Sequence, residues 1–256
     1  MKLQLLIPQF NETDDVMRPM LESISTQQGV DLKNDIEVLI GNDGSDIKLS
    51  EKFLGSFSYS IRYFQFEHAG LPGTRGKLYD LATADYVMFC DADDMFLTNI
   101  ALYTIFSFTK KGFDALVVDF LEEVVDRKTG RSMFFPHKKD STFVHGKIYR
   151  RQFLLDNHIV WHPDVKCHED SGYNSLAMAH SKARLEGICD YRLWTTEELI
   201  EAYAFETNRI NQKDRETAQR GIKSELRRRF DETLRLLDDE QTTQNWKGTF
   251  RYLLNE

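Results

Sequence analysis

Long apolar runs, a positive net charge and paired cysteines are all missing from this chain of 256 residues. Without a run of about 18 apolar residues, a membrane-spanning helix is not expected. The apolar part of the N-terminal MKLQLLIPQF is too short for a secretory signal, so a cytoplasmic protein is predicted. The net charge of -8 excludes a basic field for nucleic acid, whereas peripheral contact with the inner face of a membrane stays open.

Only three cysteines occur, Cys90, Cys167 and Cys189, and none belongs to a CxxC pair. A zinc ribbon is therefore not expected, and Cys90, within an apolar run, is interpreted as a small buried side chain. Hydrophobic residues make up 41% of the chain and charged residues 29%, which is typical of a globular protein. The length suits one large domain or two small ones.

Short apolar runs alternate with helical patterns through the first part of the chain. Strands are predicted at 2–7, 36–40, 61–66 and 86–90, and helices at about 13–28 and 74–84. This alternation is typical of a mostly parallel α/β sheet flanked by helices. In such sheets ligands bind beyond the carboxyl ends of the strands, where this chain carries PQFNE, GNDGSD and DADD.

The rest of the chain is predicted to contain a helix at about 98–110, a strand at 115–121 and a hairpin that turns at 128–130. Beyond about residue 195 the sequence is helix-rich and dense in charge, with an apolar stripe of Leu226, Phe230, Leu234 and Leu237. We therefore predict an α/β domain over 1–195 and a helical C-terminal extension over 196–256. The stripe would pack on the main domain, on a partner subunit of a homo-oligomer, or on a membrane surface.

Three acids follow the strand at 86–90: Asp91, Asp93 and Asp94. Two carboxylates one residue apart at a strand end can face one cavity, and carboxylate oxygen is the ligand that Mg²⁺ and Mn²⁺ favour. A cation there would neutralise a departing diphosphate. An acidic helix N-cap formed by Asp94 or Thr98 is the alternative.

Two glycine-containing stretches point to nucleotide binding. In GNDGSD, the Asp43 carboxylate can accept an N–H group from a nucleobase, although an ordinary Asx turn accounts for it as well. In HAGLPGTRGK, interpreted as a loop, Arg75 and Lys77 could contact a diphosphate, and a solvated surface loop is the alternative. The stretch matches neither GxxxxGK[ST] nor GxGxxG.

A pair of acids, Glu169 and Asp170, lies in the stretch CHEDSGYN at 167–174. A carboxylate held in a cleft can take a proton from an attacking hydroxyl group. A helix N-cap at Asp170 or Ser171 is the alternative. His158 and His162 have helical i, i+4 spacing, but a proline follows at once, so a zinc site is not expected there.

Taken in this order, the stretches resemble glycosyltransferase family 2, the inverting enzymes of the GT-A fold. The resemblance covers about residues 3–195 and rests on IPQFNE at 7–12, NDGS at 42–45, GLPGTRGK at 70–77, ATADYVMFCDADD at 82–94, and the Glu169–Asp170 pair. It implies a GT-A catalytic domain that transfers a sugar with inversion from a nucleotide diphosphate sugar, by default a UDP-sugar. The acceptor would be a glycan or glycoconjugate, as in cell-surface polysaccharide synthesis.

The resemblance also implies roles for individual residues. Asp170 would be the general base with Glu169 in support, and Asp93 would bind Mn²⁺ or Mg²⁺. Nine further residues would contact the nucleotide sugar: Pro8, Phe10, Glu12, Asp43, Arg75, Asp91, Gly146, Lys147 and Arg192.

Two departures from the family pattern are visible. Asn42 stands where the family often has Asp, and Gly76 and Lys77 replace the residues that usually follow Arg75. The third protein ligand of the metal is not identified, and His180 is one candidate.

Three other functions are compatible with parts of the sequence. A haloacid dehalogenase-type phosphatase also has an apolar strand that ends in DxD, and it would form an aspartyl-phosphate on Asp91. A sugar nucleotidyltransferase on a related sheet would release pyrophosphate. A non-catalytic relative would bind a sugar nucleotide or a partner without turnover, but the presence of Asp93 and Asp170 argues against it.

Overall fold

A computed structural model of the chain describes residues 2–109, 112–126, 128–138, 140, 142–163 and 169–180. Its strands are β1 (Leu3–Gln9), β2 (Ile36–Asn42), β3 (Ser60–Gln65), β4 (Tyr86–Phe89), β5 (Ala115–Val117), β6 (Phe120–Val125), β7 (Ser132–His137) and β8 (Lys147–Arg150). Its helices are α1 (Asp14–Ser25), α2 (Leu32–Asp35), α3 (Glu51–Leu54), α4 (Gly70–Asp80), α5 (Ala101–Thr109), α6 (Arg151–Asp156) and α7 (Glu169–His180).

The main sheet contains six strands in the order β3-β2-β1-β4-β8-β5. β1 pairs in parallel with β2 and β4, and β2 pairs in parallel with β3. β8 is antiparallel to both β4 and β5. The sheet is therefore mostly parallel, which confirms the predicted α/β architecture.

The central strand β1 shows why the sequence is apolar at these positions. Every residue from Leu3 to Gln9 is buried. A central strand of a parallel sheet is covered on both faces, so its residues form a continuous apolar run instead of an alternating one. The polar Gln4 is satisfied in this setting, because its side-chain oxygen accepts the backbone N–H groups of Thr83 and Ala84.

The polar stretches that follow β1, β2 and β4 meet at one edge of the sheet. Gln9 lies opposite Asn42 at the ends of β1 and β2, and the Asp43 N–H donates to the Gln9 carbonyl at 2.8 Å. On the other side of β1, the Cys90 N–H donates to the Leu6 carbonyl at 3.1 Å. The stretches at 10–12, 43–46 and 91–94 therefore share one edge, as the sequence predicts.

Helix α1 carries the predicted apolar face, whose four members are all buried: Met17, Met20, Leu21 and Ile24. Its predicted end at about Gln28 is wrong, since the helix ends at Ser25. The Gln28 N–H donates to the Asn99 carbonyl and is not available to the helix. This bond ties the segment after α1 to the segment before α5.

Helix α4 corrects the interpretation of HAGLPGTRGK as a loop. The helix begins at Gly70 and not at 74, because the Asp43 carboxylate accepts the N–H groups of Ala69 and Gly70 at 2.7 and 2.9 Å. Such acceptance by a side chain replaces the missing helical partners of the first N–H groups. Pro72 lies in the first turn, where its missing N–H costs no helical hydrogen bond. Arg75 is consequently held on a helix and buried.

The predicted strand at 115–121 is two strands in the structure. β5 belongs to the main sheet, whereas β6 forms a separate two-stranded sheet with β7. The hairpin turn at 128–130 is confirmed, and Gly130 there has a φ of +68°. The stretch HGKIYRR at 145–151 contains β8, whose Ile148 and Tyr149 are fully buried between β4 and β5.

The C-terminal part of the prediction lies outside the described residues. This holds for the domain boundary at 195, for the helical extension over 196–256 and for its apolar stripe. Among the helices of the described ranges, none combines the length and the apolar character needed to cross a membrane.

Candidate active site

A cavity of about 280 Å³ opens at the edge of the sheet where the strand ends meet. Six of the residues predicted to contact the donor or the metal line it: Pro8, Phe10, Glu12, Asp43, Asp91 and Asp93. They come from three separate stretches of the chain, which lie at the ends of β1, β2 and β4. The cavity is thus the point at which three of the predicted motifs converge.

An aromatic pair forms one wall of the cavity. The rings of Phe10 and His68 have centroids 5.0 Å apart and planes inclined by 35°. Asp43 holds the histidine in place, because its Oδ2 lies 2.9 Å from Nδ1 of His68. The two neighbouring rings offer a stacking surface of the kind that binds a planar base.

His68 is not among the site residues predicted from the sequence, although it opens the stretch HAGLPGTRGK. Its position depends on Gly44, which has a φ of +76°. A Cβ at Gly44 would come within 2.8 Å of the backbone nitrogen of His68. Glycine is therefore required where the turn after β2 passes the His68 backbone. Asp43, which caps α4 and holds His68, shapes this wall of the cavity as well as lining it.

Asn42, one of the departures from the family pattern, organises the turn after β2. This side chain is fully buried, and its amide group is directed at the carbonyls of Ser45 and Ile47 and at the Tyr63 hydroxyl, at 3.0–3.2 Å. Its Oδ1 accepts the Ser45 N–H at 2.7 Å. An ionised carboxylate cannot donate, so asparagine is the residue that this turn requires.

Asp91 lines the cavity and also contacts Arg75, whose positively charged side chain is buried. Its Oδ1 accepts a hydrogen bond from Nη2 of Arg75 at 2.7 Å, and the Arg75 side chain is only 2% exposed. Nη1 of Arg75 lies 3.2 Å from Oε1 of Glu169, and the guanidinium lies 4.9 Å from the centre of the Trp161 ring. Arg75 is predicted to contact the nucleotide sugar, but it does not line the cavity.

A group of three side chains at the same edge has the composition of a metal site. One ligand atom from each of Asp91, Asp94 and His145 lies within 4.8 Å of the others. Nδ1 of His145 is 2.9 Å from Asp94 Oδ2, and Nε2 is 3.9 Å from Asp91 Oδ2. Burial alone would lower the pKa of His145, but the hydrogen bond and the charge of Asp94 raise it. Two carboxylates and an imidazole fit a divalent cation, and the nitrogen donor favours Mn²⁺ over Mg²⁺.

This grouping differs from the predicted metal ligand. Asp93 lines the cavity, but its side chain is exposed and is not a member of the group. The turn brings Asp94 back to Asp91, because the Asp94 N–H donates to the Asp91 carbonyl and the Asp91 N–H to Asp94 Oδ2. His145 was missed because it follows Asp94 by 51 residues. The side chain of His180, the other candidate ligand, lies outside the described part of the chain.

Glu169 and Asp170 begin α7 beside Arg75, so they stand at a helix start as well as in the site. Burial raises the pKa of Asp170; the Arg75 charge and the hydrogen bond from the Ser171 N–H oppose this, and the net shift is upward. A carboxylate with a raised pKa accepts a proton more readily than an ordinary aspartate. Asp170 therefore has the acid–base property that the predicted role requires.

Gly146 and Lys147 do not line the cavity. Lys147 is fully buried at the start of β8, and its Nζ lies 3.0 Å from Asp140 and 3.1 Å from the His145 carbonyl. Gly146 has a φ of +68°, and a Cβ there would lie 2.5 Å from the Val118 carbonyl oxygen. The two residues thus fix the backbone that carries His145. Arg192 lies outside the described residues.

Comparison with known proteins finds a family and a fold. The family model described as glycosyl transferase family 2 matches residues 5–165. The uncharacterized glycosyltransferase YibD of Escherichia coli is 33% identical over 96 residues, which cover 36% of this chain and 26% of YibD. The poly(ribitol-phosphate) beta-N-acetylglucosaminyltransferase TarS of Staphylococcus aureus is 22% identical over 189 residues, which cover 69% of this chain and 32% of TarS. The chain thus spans about a third or less of the length of these relatives.

Solved structures resemble this chain over nearly its whole length. The structure of TarS residues 1–349 gives a TM-score of 0.61 at 19% identity and covers 100% of this chain and 71% of that one. The mannosyltransferase PcManGT from Pyrobaculum calidifontis, solved with GDP-Man and Mn²⁺, gives 0.52 at 12% identity, with coverages of 99% and 85%. At these identities the likeness establishes the fold, which is the predicted GT-A fold.

Proposed function

Because this chain belongs to glycosyl transferase family 2, we propose that it transfers a sugar from a UDP-sugar to a hydroxyl group of a glycan or glycoconjugate, with a divalent cation and with inversion. The observation that carries the proposal is the presence at one sheet edge of a stacking surface at Phe10, a candidate cation group that includes Asp91, and the carboxylate of Asp170 with its raised pKa. Family membership favours this reaction over a phosphatase and over a nucleotidyltransferase.

The nucleotide occupies the cavity in this proposal. Its base stacks on Phe10 and His68, and its diphosphate extends toward Asp91 and Asp93. A volume of about 280 Å³ is at the lower limit for small-molecule sites, so the cavity suits the nucleoside and the sugar extends beyond it. UDP is favoured over GDP because TarS, which is more similar to this chain than PcManGT, was solved with UDP-GlcNAc, whereas PcManGT was solved with GDP-Man.

Asp91, Asp94 and His145 would hold the cation, with Mn²⁺ preferred over Mg²⁺. When bound, the cation neutralises the negative charge that develops on the departing diphosphate. Two buried cationic side chains keep these ligands in place. Arg75 donates a hydrogen bond to one oxygen of Asp91, and Lys147 donates one to the His145 carbonyl.

Asp170 takes the proton from the acceptor hydroxyl group in the proposed reaction. The freed oxygen attacks the anomeric carbon from the face opposite the diphosphate, so the configuration inverts. A single base is sufficient because the leaving diphosphate needs no protonation, in contrast to glycoside hydrolysis, which uses an acid as well. Glu169, paired with Arg75, supports the position of Asp170 at the start of α7.

The relatives support the proposed acceptor class. TarS is named for transfer of N-acetylglucosamine to poly(ribitol phosphate). For this chain we propose a cell-surface polysaccharide or glycoconjugate acceptor, with synthesis on the cytoplasmic side of the membrane. Residues 1–195 would form the catalytic domain.

Thermal unfolding with a panel of nucleotide sugars tests the proposal, together with an assay for release of the nucleoside diphosphate. A UDP-sugar is expected to raise the unfolding midpoint when Mn²⁺ is present and to raise it less in EDTA. A GDP-sugar that stabilises the protein in place of UDP-sugars would replace the base assignment. If no nucleotide sugar stabilises the protein and none is consumed, the proposed function is wrong.

A further inference from the structure

Arg75 joins three separate parts of the fold through one buried side chain. Its guanidinium lies between Asp91 Oδ1, at 2.7 Å, and Glu169 Oε1, at 3.2 Å. The Trp161 ring centre is 4.9 Å away. Asp91 follows β4, Glu169 begins α7 and Trp161 follows α6, so the three parts of the chain that Arg75 contacts are separate elements of the fold.

The location of Arg75 separates it from the nucleotide cavity. Asp91 and Thr74 line the cavity, whereas Arg75, which contacts Asp91 and follows Thr74 in sequence, does not. Both of its terminal nitrogens already face carboxylates. A diphosphate in the cavity would therefore lie beside Asp91, and not beside Arg75.

We propose that Arg75 is a positioning residue that holds Asp91 and Glu169 at a fixed separation and makes no contact with the nucleotide. The inference rests on the proposed function, in which these acids serve the cation and the acceptor. Three carboxylates, counting Asp170, converge here and would repel one another without a cation between them. A planar guanidinium holds two carboxylates in fixed directions, which a lysine ammonium group does not reproduce.

The same contact orients Asp91 toward the candidate metal group. Because Oδ1 is engaged by Arg75, Oδ2 is the oxygen that lies nearer the imidazole, 3.9 Å from Nε2 of His145. The Asp91 carboxylate thus links the buried guanidinium of Arg75 with Asp94 and His145, the other two members of the candidate metal group. Loss of Arg75 would release Asp91 and the start of α7 together.

Arg75→Lys distinguishes positioning from nucleotide binding, since it keeps the charge and removes the planar fork. We expect kcat to fall about 100-fold, as misplacement by about 1 Å can produce. The dissociation constant for UDP, measured by isothermal titration calorimetry, is expected to change by less than about threefold, well below the tenfold step of ~1.4 kcal/mol. A tenfold weaker UDP affinity with kcat preserved would make Arg75 a nucleotide ligand, and an unchanged kcat would also overturn the proposal.

Arg62 offers a matched control on strand β3. This arginine is 42% exposed, lies 4.0 Å from Glu37, and stacks over Phe64 at 5.0 Å. Arg62→Lys therefore changes the same two kinds of contact away from the cavity. It is expected to leave both kcat and UDP affinity unchanged.

Unfolding measurements test the bridge without any donor, so its failure can be told apart from failure of the proposed function. Glu169→Gln is expected to lower the unfolding midpoint of the wild-type protein, because Arg75 loses a partner. In an Arg75→Met background the same change is expected to lower the midpoint less, because the guanidinium that Glu169 contacts is already absent. Equal shifts in the two backgrounds would overturn the bridge. If Arg75→Met does not fold, Arg75→Lys replaces it, and a smaller loss than in wild type is expected.

Discussion

Nδ1 of His145 lies 2.9 Å from Oδ2 of Asp94, although 51 residues separate the two in sequence. The contact brings an imidazole, from the segment just before β8, to the acidic turn after β4. It gives the turn a nitrogen donor, which carboxylates alone do not provide. The preference of the site among divalent cations should therefore depend on this histidine.

His145→Ala is expected to weaken Mn²⁺ binding about tenfold, or ~1.4 kcal/mol, and to weaken Mg²⁺ binding less, since Mg²⁺ prefers oxygen ligands. The electron paramagnetic resonance signal of free Mn²⁺ measures the binding without any donor or acceptor. His137→Ala is the control. Like His145, His137 contacts the ring of Phe120, but its imidazole pairs with Glu122. Equal losses in the two variants would mean that packing, and not ligation, is being measured.

Asp170→Asn is expected to reduce kcat by about 10²- to 10⁴-fold, the usual effect of losing a general base, without weakening UDP binding. The raised pKa adds a pH dependence: the rate should fall as the pH falls through a pKa above the ordinary value of 3.8. Rate–pH profiles with saturating donor measure it. A profile that is flat down to pH values near the ordinary aspartate pKa would contradict the assignment.

The same substitution should stabilise the fold at neutral pH. A carboxyl group whose pKa is raised by folding contributes stability only when protonated, and this contribution is lost as the pH rises through the raised pKa. Asparagine removes the ionisation, so the unfolding midpoint of Asp170→Asn should exceed that of the wild type at pH 7. The exposed Glu67→Gln serves as the control and should leave the midpoint nearly unchanged.

Residues close to a strand end were the predictable part of the cavity, because the end of a parallel strand fixes where the next few residues lie. Phe10, Asp43 and Asp91 were found in this way, and all three line the cavity. His145 was not predictable. It lies just before β8, and the antiparallel pairing of β8 with β4 brings it to the acids, but no local sequence pattern predicts that pairing. The wrong loop prediction at 68–77 has a similar cause, since the helix start depends on the distant Asp43.

Phe10→Ala should weaken UDP binding by ~1–3 kcal/mol, the usual loss when an aromatic ring that stacks on a base is removed. The ring is 47% exposed in the structure, so its removal should cost little stability. Calorimetric titration with UDP measures the affinity. Phe134→Ala removes a more exposed aromatic side chain, 61% exposed on the β6–β7 hairpin, and should leave UDP affinity unchanged. Unaltered affinity in Phe10→Ala would exclude the stacking wall.

Asn42→Asp, which restores the residue common in the family, should destabilise this protein by ~1–3 kcal/mol, the cost of leaving buried acceptors without a donor. The carboxylate would face the carbonyls of Ser45 and Ile47, to which the amide now donates. Urea unfolding measures the change. The exposed Asn99→Asp is the control, and equal stability of the two variants would contradict the assigned network.

A crystal structure of the protein with UDP and Mn²⁺ would locate the nucleotide and the cation separately, because the anomalous signal of manganese identifies the cation independently of the nucleotide. We expect one manganese peak bound by Asp91, Asp94 and His145, with the uracil ring stacked on Phe10 and His68. A manganese bound by other residues, or UDP bound away from the cavity while these three side chains keep their present contacts, would contradict this expectation.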